Sequence, residues 1–184
     1  MKVASKKVTL KNGTLVTLRS AGQADAGKML EHLRITHSES YRNLNQSAEH
    51  WHKVTVGDEE KVLAEFERSP SKFMIITEYE ERIVGGLGFM GFQAEFVQKS
   101  AAIGMSIQKA FCDSGLGTEM MTYMIQLAKE AGFRRIELTV RTYNTAGIAL
   151  YEKVGFQRIG LLKDAAFIDG EFVDEYSYQQ ILKS

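Results

Sequence analysis

The sequence predicts an α/β fold: a mixed, mostly antiparallel sheet flanked by helices, with one parallel strand pair. Three observations predict it. First, the β-type runs KFMIITEYE, RIVGGLGFMGF and SAAIGMSI follow one another as a meander, and the first connection, at Glu80 and Glu81, is too short for anything but an antiparallel pair. Second, after Ile107 a helix-period segment leads into the strand RIELTV, so the strand ending at Ile107 and the strand at 135–140 are joined through a helix and run parallel. Third, FQRIGLLKDAAFI and FVDEYSYQQIL form a closing antiparallel pair around a tight turn at Asp169 and Gly170.

The elements follow in order. VTLKNGTLVTLRS is two alternating runs separated by Asn12 and Gly13, a strong hairpin signal. Residues 23–39 carry Ala26, Leu30, Leu33 and His37 at helical spacing, and 59–66 form a second helical segment. The stretch 40–57, with Trp51, has no clear period and receives no assignment. From 117 to 131 the set Met120, Met121, Met124, Leu127, Ala128 and Ala131 has helix period, with Gly132 as its stop. The three methionines read as gap-filling core residues. A further helix over 144–153 ends at Gly155.

With 184 residues, 44% apolar and 25% charged, the chain matches one domain spanning 1–184. It has one proline, Pro70, no internal repeat and no low-complexity linker. Basic and acidic residues number 23 each, so no net field draws the chain to nucleic acid or an anionic membrane. The lone Cys112 excludes an internal disulfide, and the four histidines lack a second ligand pair for structural zinc. The start MKVASKKVTLKNG has no apolar core run and no stretch approaches a membrane span, which predicts a cytoplasmic protein.

The segment CDSGLGTEMM poses a physical question, because Gly115 and Gly117 precede a helix in which each glycine costs about 1 kcal/mol against alanine. Either a turn requires glycine, or a ligand must approach the backbone closely. The loop leaves the carboxyl end of a strand and enters a helix N-terminus, where unpaired N–H groups and the helix dipole favour phosphate. It is neither a P-loop nor a GxGxxG fingerprint. The loop residues alone admit both an ordinary turn and a phosphate cradle.

The second motif is NTAGIALYEKVGF, residues 144–156. Together the two segments resemble the coenzyme A binding core of the GNAT superfamily of acyl-CoA N-acyltransferases, whose loop has the form Q/R-x-x-G-x-G/A and whose second element reads Asn-x-x-A-x-x-L-Y-x-x-x-G-F. Here they are Cys112 through Gly117, then Asn144, Gly147, Ile148, Leu150, Tyr151, Gly155 and Phe156. The resemblance runs from about residue 14 to the end and is most specific over 98–160.

The resemblance implies the GNAT-like sheet with a splayed parallel pair, and transfer of an acetyl group from acetyl-CoA directly to the primary amine of a small molecule, with no metal. It implies that Met105, Ser106 and Ile107 bind the pantetheine arm and that Cys112, Asp113, Ser114, Gly115, Leu116, Gly117 and Thr118 cradle the pyrophosphate. Asn144 would touch the arm or fix the turn beside it. Tyr151 would be the general acid to the coenzyme sulfur; from periodicity alone it reads as a buried aromatic on an amphipathic helix. Homodimers are a family expectation.

Several positions depart from the pattern. Cys112 replaces glutamine or arginine, Ser114 stands where a basic residue is frequent, and Gly147 replaces alanine. Ala102 occupies the place at which relatives resembling the ribosomal-protein acetyltransferases carry a glutamate base. The base is unassigned among His37, Glu39, Glu78, Glu95 and a water chain, and direct transfer makes a Cys112 intermediate unnecessary. The acids of DGEFVDEY read as a solvated hairpin or as a lure for a cationic amine. Two other readings stay open: a coenzyme-binding module without transfer activity, and a protein acetyltransferase.

Overall fold

The structure, a computed structural model, describes residues 3–183. Strands β1 (Lys6–Thr9), β2 (Leu15–Ser20), β3 (Lys72–Tyr79), β4 (Arg82–Gly91), β5 (Ser100–Ile107), β6 (Arg135–Arg141), β7 (Gln157–Ile168) and β8 (Glu171–Ile181) form one sheet in the order β1-β2-β3-β4-β5-β6-β8-β7. Every neighbouring pair is antiparallel except β5 with β6. The helices are α1 (Ala26–Ser40), α2 (Ala48–Lys53), α3 (Val56–Arg68), α4 (Leu116–Glu130) and α5 (Thr145–Lys153).

Turn chemistry sets the strand order. Gly13 has φ 85° and the Thr14 N–H donates to the Asn12 side chain at 3.1 Å. Glu80 and Glu81 have φ 46° and 63°, the left-handed pair of a two-residue hairpin turn, and Asp169 and Gly170 repeat it at 53° and 85°. The unassigned stretch resolves into a 3-10 turn (Tyr41–Asn43) and the six-residue α2, too short to show a period. α3 begins three residues before the expected start at 59, because Thr55 and Asp58 cap each other's backbone N–H groups, at 3.2 and 3.3 Å.

The glycines of RIVGGLGFMGF explain how helices reach both faces of β4. A Cβ at Gly85 would stand 3.0 Å from Met120 Sδ of α4, and one at Gly86 would stand 3.0 Å from Met29 Cε of α1. Two core clusters result. Leu18, Phe73, Leu87, Phe89 and Ile136 pack with Met120, Met121 and Met124 on the α4 side, with Phe73 and Phe89 stacked at 4.5 Å. Ala26, Met29, Leu63, Ile76 and Ile83 pack on the α1 side. α1 also buries His32 completely, and desolvation lowers its pKa to about 4.

Gly115 is the residue before α4 and has φ 90°, so the first answer to the glycine question is a turn. Gly117 answers differently: its missing Cβ would lie 2.9 Å from Leu150 Cδ2, which lets α4 and α5 approach.

Replacing Gly115 by Ala should cost about 1–2 kcal/mol, and by Asn, which tolerates left-handed φ, clearly less; equal melting temperatures for both variants and the parent would contradict this origin. For His32 the sign follows from the folded pKa lying below the ordinary 6.5. The unfolded chain binds the extra proton first, so stability is lost as pH falls from 6.5 towards 4, by up to about 3 kcal/mol. Denaturation from pH 7 to 4.5 should therefore be flatter in His32→Gln than in the parent.

Candidate active site

The site begins where two strands part. β5 and β6 pair only through Ser100 with Arg135, Ala101 with Ile136 and Ala102 with Glu137. β5 meanwhile stays on β4 to its end, with Gly85 opposite Ile107 and the Gln108 N–H donating to the Val84 carbonyl at 3.0 Å. It is β6 that leaves. Antiparallel alternation from that bond directs the N–H groups of Met105 and Ile107 away from β4, into the gap. A cleft of about 400 Å³ opens there, and Met105, Ser106 and Ile107 line it opposite Thr139 and Val140.

The same cleft runs along the loop into α4. Asp113 and Gly115 both have left-handed φ, 57° and 90°. The Cys112 N–H closes a turn on the Lys109 carbonyl at 3.1 Å, and the Leu116 N–H points at the Ser114 hydroxyl at 3.4 Å. The N–H groups of Asp113, Ser114, Gly115, Gly117 and Thr118 have no partner among the described residues. Five free donors at a helix N-terminus are the arrangement that an anion cradle requires. Ser114 contributes backbone alone, because its hydroxyl donates to the Phe111 carbonyl at 2.7 Å, and Leu116 contributes no free donor, its N–H directed at that hydroxyl and its side chain buried in the core. The Cys112 thiol is held above its ordinary pKa by desolvation and by the nearby Asp113 and Glu39, so it stays a thiol.

Tyr151 of α5 lines the cleft, and its hydroxyl has no hydrogen-bond partner among the described residues. Burial pushes its pKa up to about 12. It remains a protonated donor at any physiological pH. Asn144 caps α5, accepting from the Gly147 N–H at 3.0 Å. That cap accounts for Gly147, whose Cβ would sit 2.8 Å from the Asn144 amide.

Two cations beside the cradle are invisible to motif reading. The β1–β2 turn is bonded to the loop through the Lys11 N–H and the Ser114 carbonyl at 2.9 Å, and the Lys11 side chain lies over the Gly115 Cα. Lys153 closes α5 and donates to the Thr118 hydroxyl at 3.2 Å. Both line the cleft. They bring positive charge to a loop whose own sequence lacks the usual basic residue, and the signal that could have found Lys11 is its place beside a hairpin turn.

None of the four side chains considered as bases lines the cleft. Glu39 accepts the Lys109 N–H at 2.8 Å, His37 is bonded to the Leu33 carbonyl at 2.7 Å, Glu78 is paired with Arg19, and Glu95 lies in an exposed turn. Next to the cleft, sharing Leu44 and Thr139 with it, is a second cavity of about 530 Å³ between the 41–47 loop and the β7–β8 hairpin. Tyr41 and Arg42 hold the hairpin by donating to Asp169 at 2.9 and 2.6 Å. Arg141 and Glu175 form a buried ion pair at its floor. Two of the four acids of DGEFVDEY, Asp169 and Glu175, are thus spent on these contacts. Among the described residues no group of three or more His, Cys, Asp or Glu could hold a metal ion, and no helix is long and apolar enough to cross a membrane.

Comparison with known proteins bears on this geometry. The chain is 27% identical over 113 residues to the uncharacterized N-acetyltransferase p20 of Bacillus licheniformis, a match covering 61% of this chain and 62% of that one. It thus spans less than two thirds of that relative. It is 29% identical over 133 residues to the N-alpha-acetyltransferase RimI of Mycobacterium tuberculosis, covering 70% of this chain and 80% of the relative. The crystal structure of a GNAT-family acetyltransferase from Streptococcus pneumoniae superposes with a TM-score of 0.86 at 24% identity, covering 91% of this chain and 99% of that one, which shows a shared fold. A family model described as the acetyltransferase (GNAT) family matches residues 31–156, which contain the parting strands, the cradle and Tyr151, and the chain belongs to that family.

Proposed function

We propose that this protein transfers an acetyl group from acetyl-CoA directly to the primary amine of a small molecule. The observation that carries the reading is the set of unpartnered amides of Asp113, Ser114, Gly115, Gly117 and Thr118 at the mouth of a gap whose other wall is the free edge of β5. Those donors suit a pyrophosphate, and Lys11 and Lys153 add charge beside it. The pantetheine arm then lies along Met105, Ser106 and Ile107, and an N–H of β5 polarises the thioester carbonyl.

Acyl transfer forms a C–N bond to the amine and breaks the C–S bond. The attacking amine gives its proton to water, since among the described residues Asp113 is the one carboxylate lining the cleft and it belongs to the cradle. The departing thiolate receives a proton, or a strong hydrogen bond, from the Tyr151 hydroxyl, which solvent reprotonates. With its pKa raised, Tyr151 is a weak acid in the resting site, so its donation accompanies C–S cleavage rather than preceding it.

Support for a small acceptor comes from the second cavity. At about 530 Å³, fenced by the Tyr41 and Arg42 bonds to Asp169, it has the volume of a metabolite site. The ion pair at its floor is electrically balanced, which does not select a highly charged acceptor. The similarity to a protein named as an N-alpha-acetyltransferase supports a second reading, acetylation of protein N-termini.

Release of coenzyme thiol, followed with a panel of small amines and a panel of N-terminal peptides, separates the two readings. Turnover on amines supports the proposal, turnover confined to peptides replaces it with the second, and binding without turnover on either leaves a coenzyme-binding module. Tyr151→Phe should lower kcat by about 10²–10⁴ with little change in acetyl-CoA affinity; an unchanged kcat would remove the acid role. Lys11→Ala should weaken acetyl-CoA binding about tenfold at low salt and less at high salt, whereas salt-independent affinity equal to the parent would place Lys11 outside the cradle.

A further inference from the structure

His32 is fully buried in α1, yet it reaches the cleft through one bond: its Nε2 lies 2.9 Å from Ser106 Oγ. Ser106 lines the cleft on the segment of β5 that has lost its β6 partner. The other ring nitrogen, Nδ1, is buried and makes no hydrogen bond of ordinary geometry, although the Ile83 backbone also acts on the ring and favours its protonated form. A neutral imidazole carries one N–H, and an orphaned buried donor is the costlier error. The favoured tautomer therefore has its hydrogen on Nε2, and Ser106 Oγ accepts it.

That assignment fixes the direction of the hydroxyl. Ser106 has no other side-chain partner among the described residues, so once its oxygen accepts from His32 its own O–H is uncommitted and free to turn to the cleft. The position matters: Ser106 stands between Met105 and Ile107, whose N–H groups face the gap. Gly86, opposite Ser106, carries no side chain, and that vacancy is what brings the His32 ring to the sheet, with Nε2 3.6 Å from where a Gly86 Cβ would be.

We propose that Ser106 donates its hydroxyl hydrogen to the thioester carbonyl oxygen of bound acetyl-CoA, and that His32 is the positioning residue that holds Ser106 in this orientation. The pair adds a side-chain donor to the β5 backbone donor, stabilises the oxyanion as the amine attacks, and returns unchanged when the carbonyl reforms. No proton leaves either residue. The inference rests on the acetyl-CoA reading of the cleft.

The test is isotope-edited infrared spectroscopy of the thioester carbonyl of acetyl-CoA bound to the full chain, with binding measured separately by calorimetry. In the parent the carbonyl stretch should be displaced to lower frequency than in water. Ser106→Ala and His32→Leu should each return it part of the way and lower kcat about tenfold to hundredfold with the acetyl-CoA dissociation constant changed less than about threefold. His32→Gln, whose side-chain N–H replaces Nε2–H, should keep both the frequency and the rate, and His32→Leu should add nothing in the Ser106→Ala background. A carbonyl frequency unmoved by Ser106→Ala overturns the proposal, as does additivity of the two changes. Should His32→Leu fail to fold, Ser106→Ala and His32→Gln decide the matter alone. Absence of acetyl-CoA binding by the parent would instead overturn the reading of the cleft.

Discussion

Pairing between β5 and β6 ends after three residues on each strand, and the site is a consequence of that early ending. A parallel ladder continued to Ile107 would bond the N–H groups of Met105 and Ile107 to β6 and leave no cleft. The parting is held from both sides. β5 is fixed along its whole length to β4, while β6 is fixed to β8 from Arg135 to Arg141, so neither strand can drift back to close the gap. Unpaired backbone in a protein interior is costly unless something meets it, and an extended amide-bearing ligand is what these two edges suit.

The chain arranges its glycines around this gap for different physical reasons. Gly85 and Gly86 thin β4 on opposite faces so that α4 and α1 both press close. Gly115 supplies a left-handed turn that aims amides outward, and Gly117 lets α5 settle against α4, which brings Tyr151 to the cleft. The two glycines of the loop thus look like one motif in sequence and serve separate ends. Backbone donors line the proposed anion site, while the cations beside it come from the β1–β2 turn and the end of α5.

Much of the fold was legible because it rests on local chemistry. Asn12 with Gly13, Gly132 and Gly155 are turn or stop residues whose φ values of 85°, 74° and 96° confirm the reading, and the methionines at 120, 121 and 124 are core, as their spacing implied. What escaped was either short or distant. α2 has too few residues for a period, and the start of α3 is written in a Thr55–Asp58 capping pair that hydrophobic spacing does not register. Lys11 lies about a hundred positions from the loop it serves, and the His32–Ser106 bond joins residues with no shared motif. Ser114 and Leu116 were legible as members of the loop, but only coordinates separate their backbone from their side chains, which turn inward.

The central claim is that free main-chain donors at two places, the start of α4 and the open edge of β5, receive one extended ligand. Amide-proton NMR during a coenzyme A titration measures both places at once. The account predicts large downfield shifts and slowed exchange for Gly115, Gly117 and Thr118 together with Met105 and Ile107, all saturating at one ligand concentration. Saturable binding that leaves these five amides unmoved would contradict it.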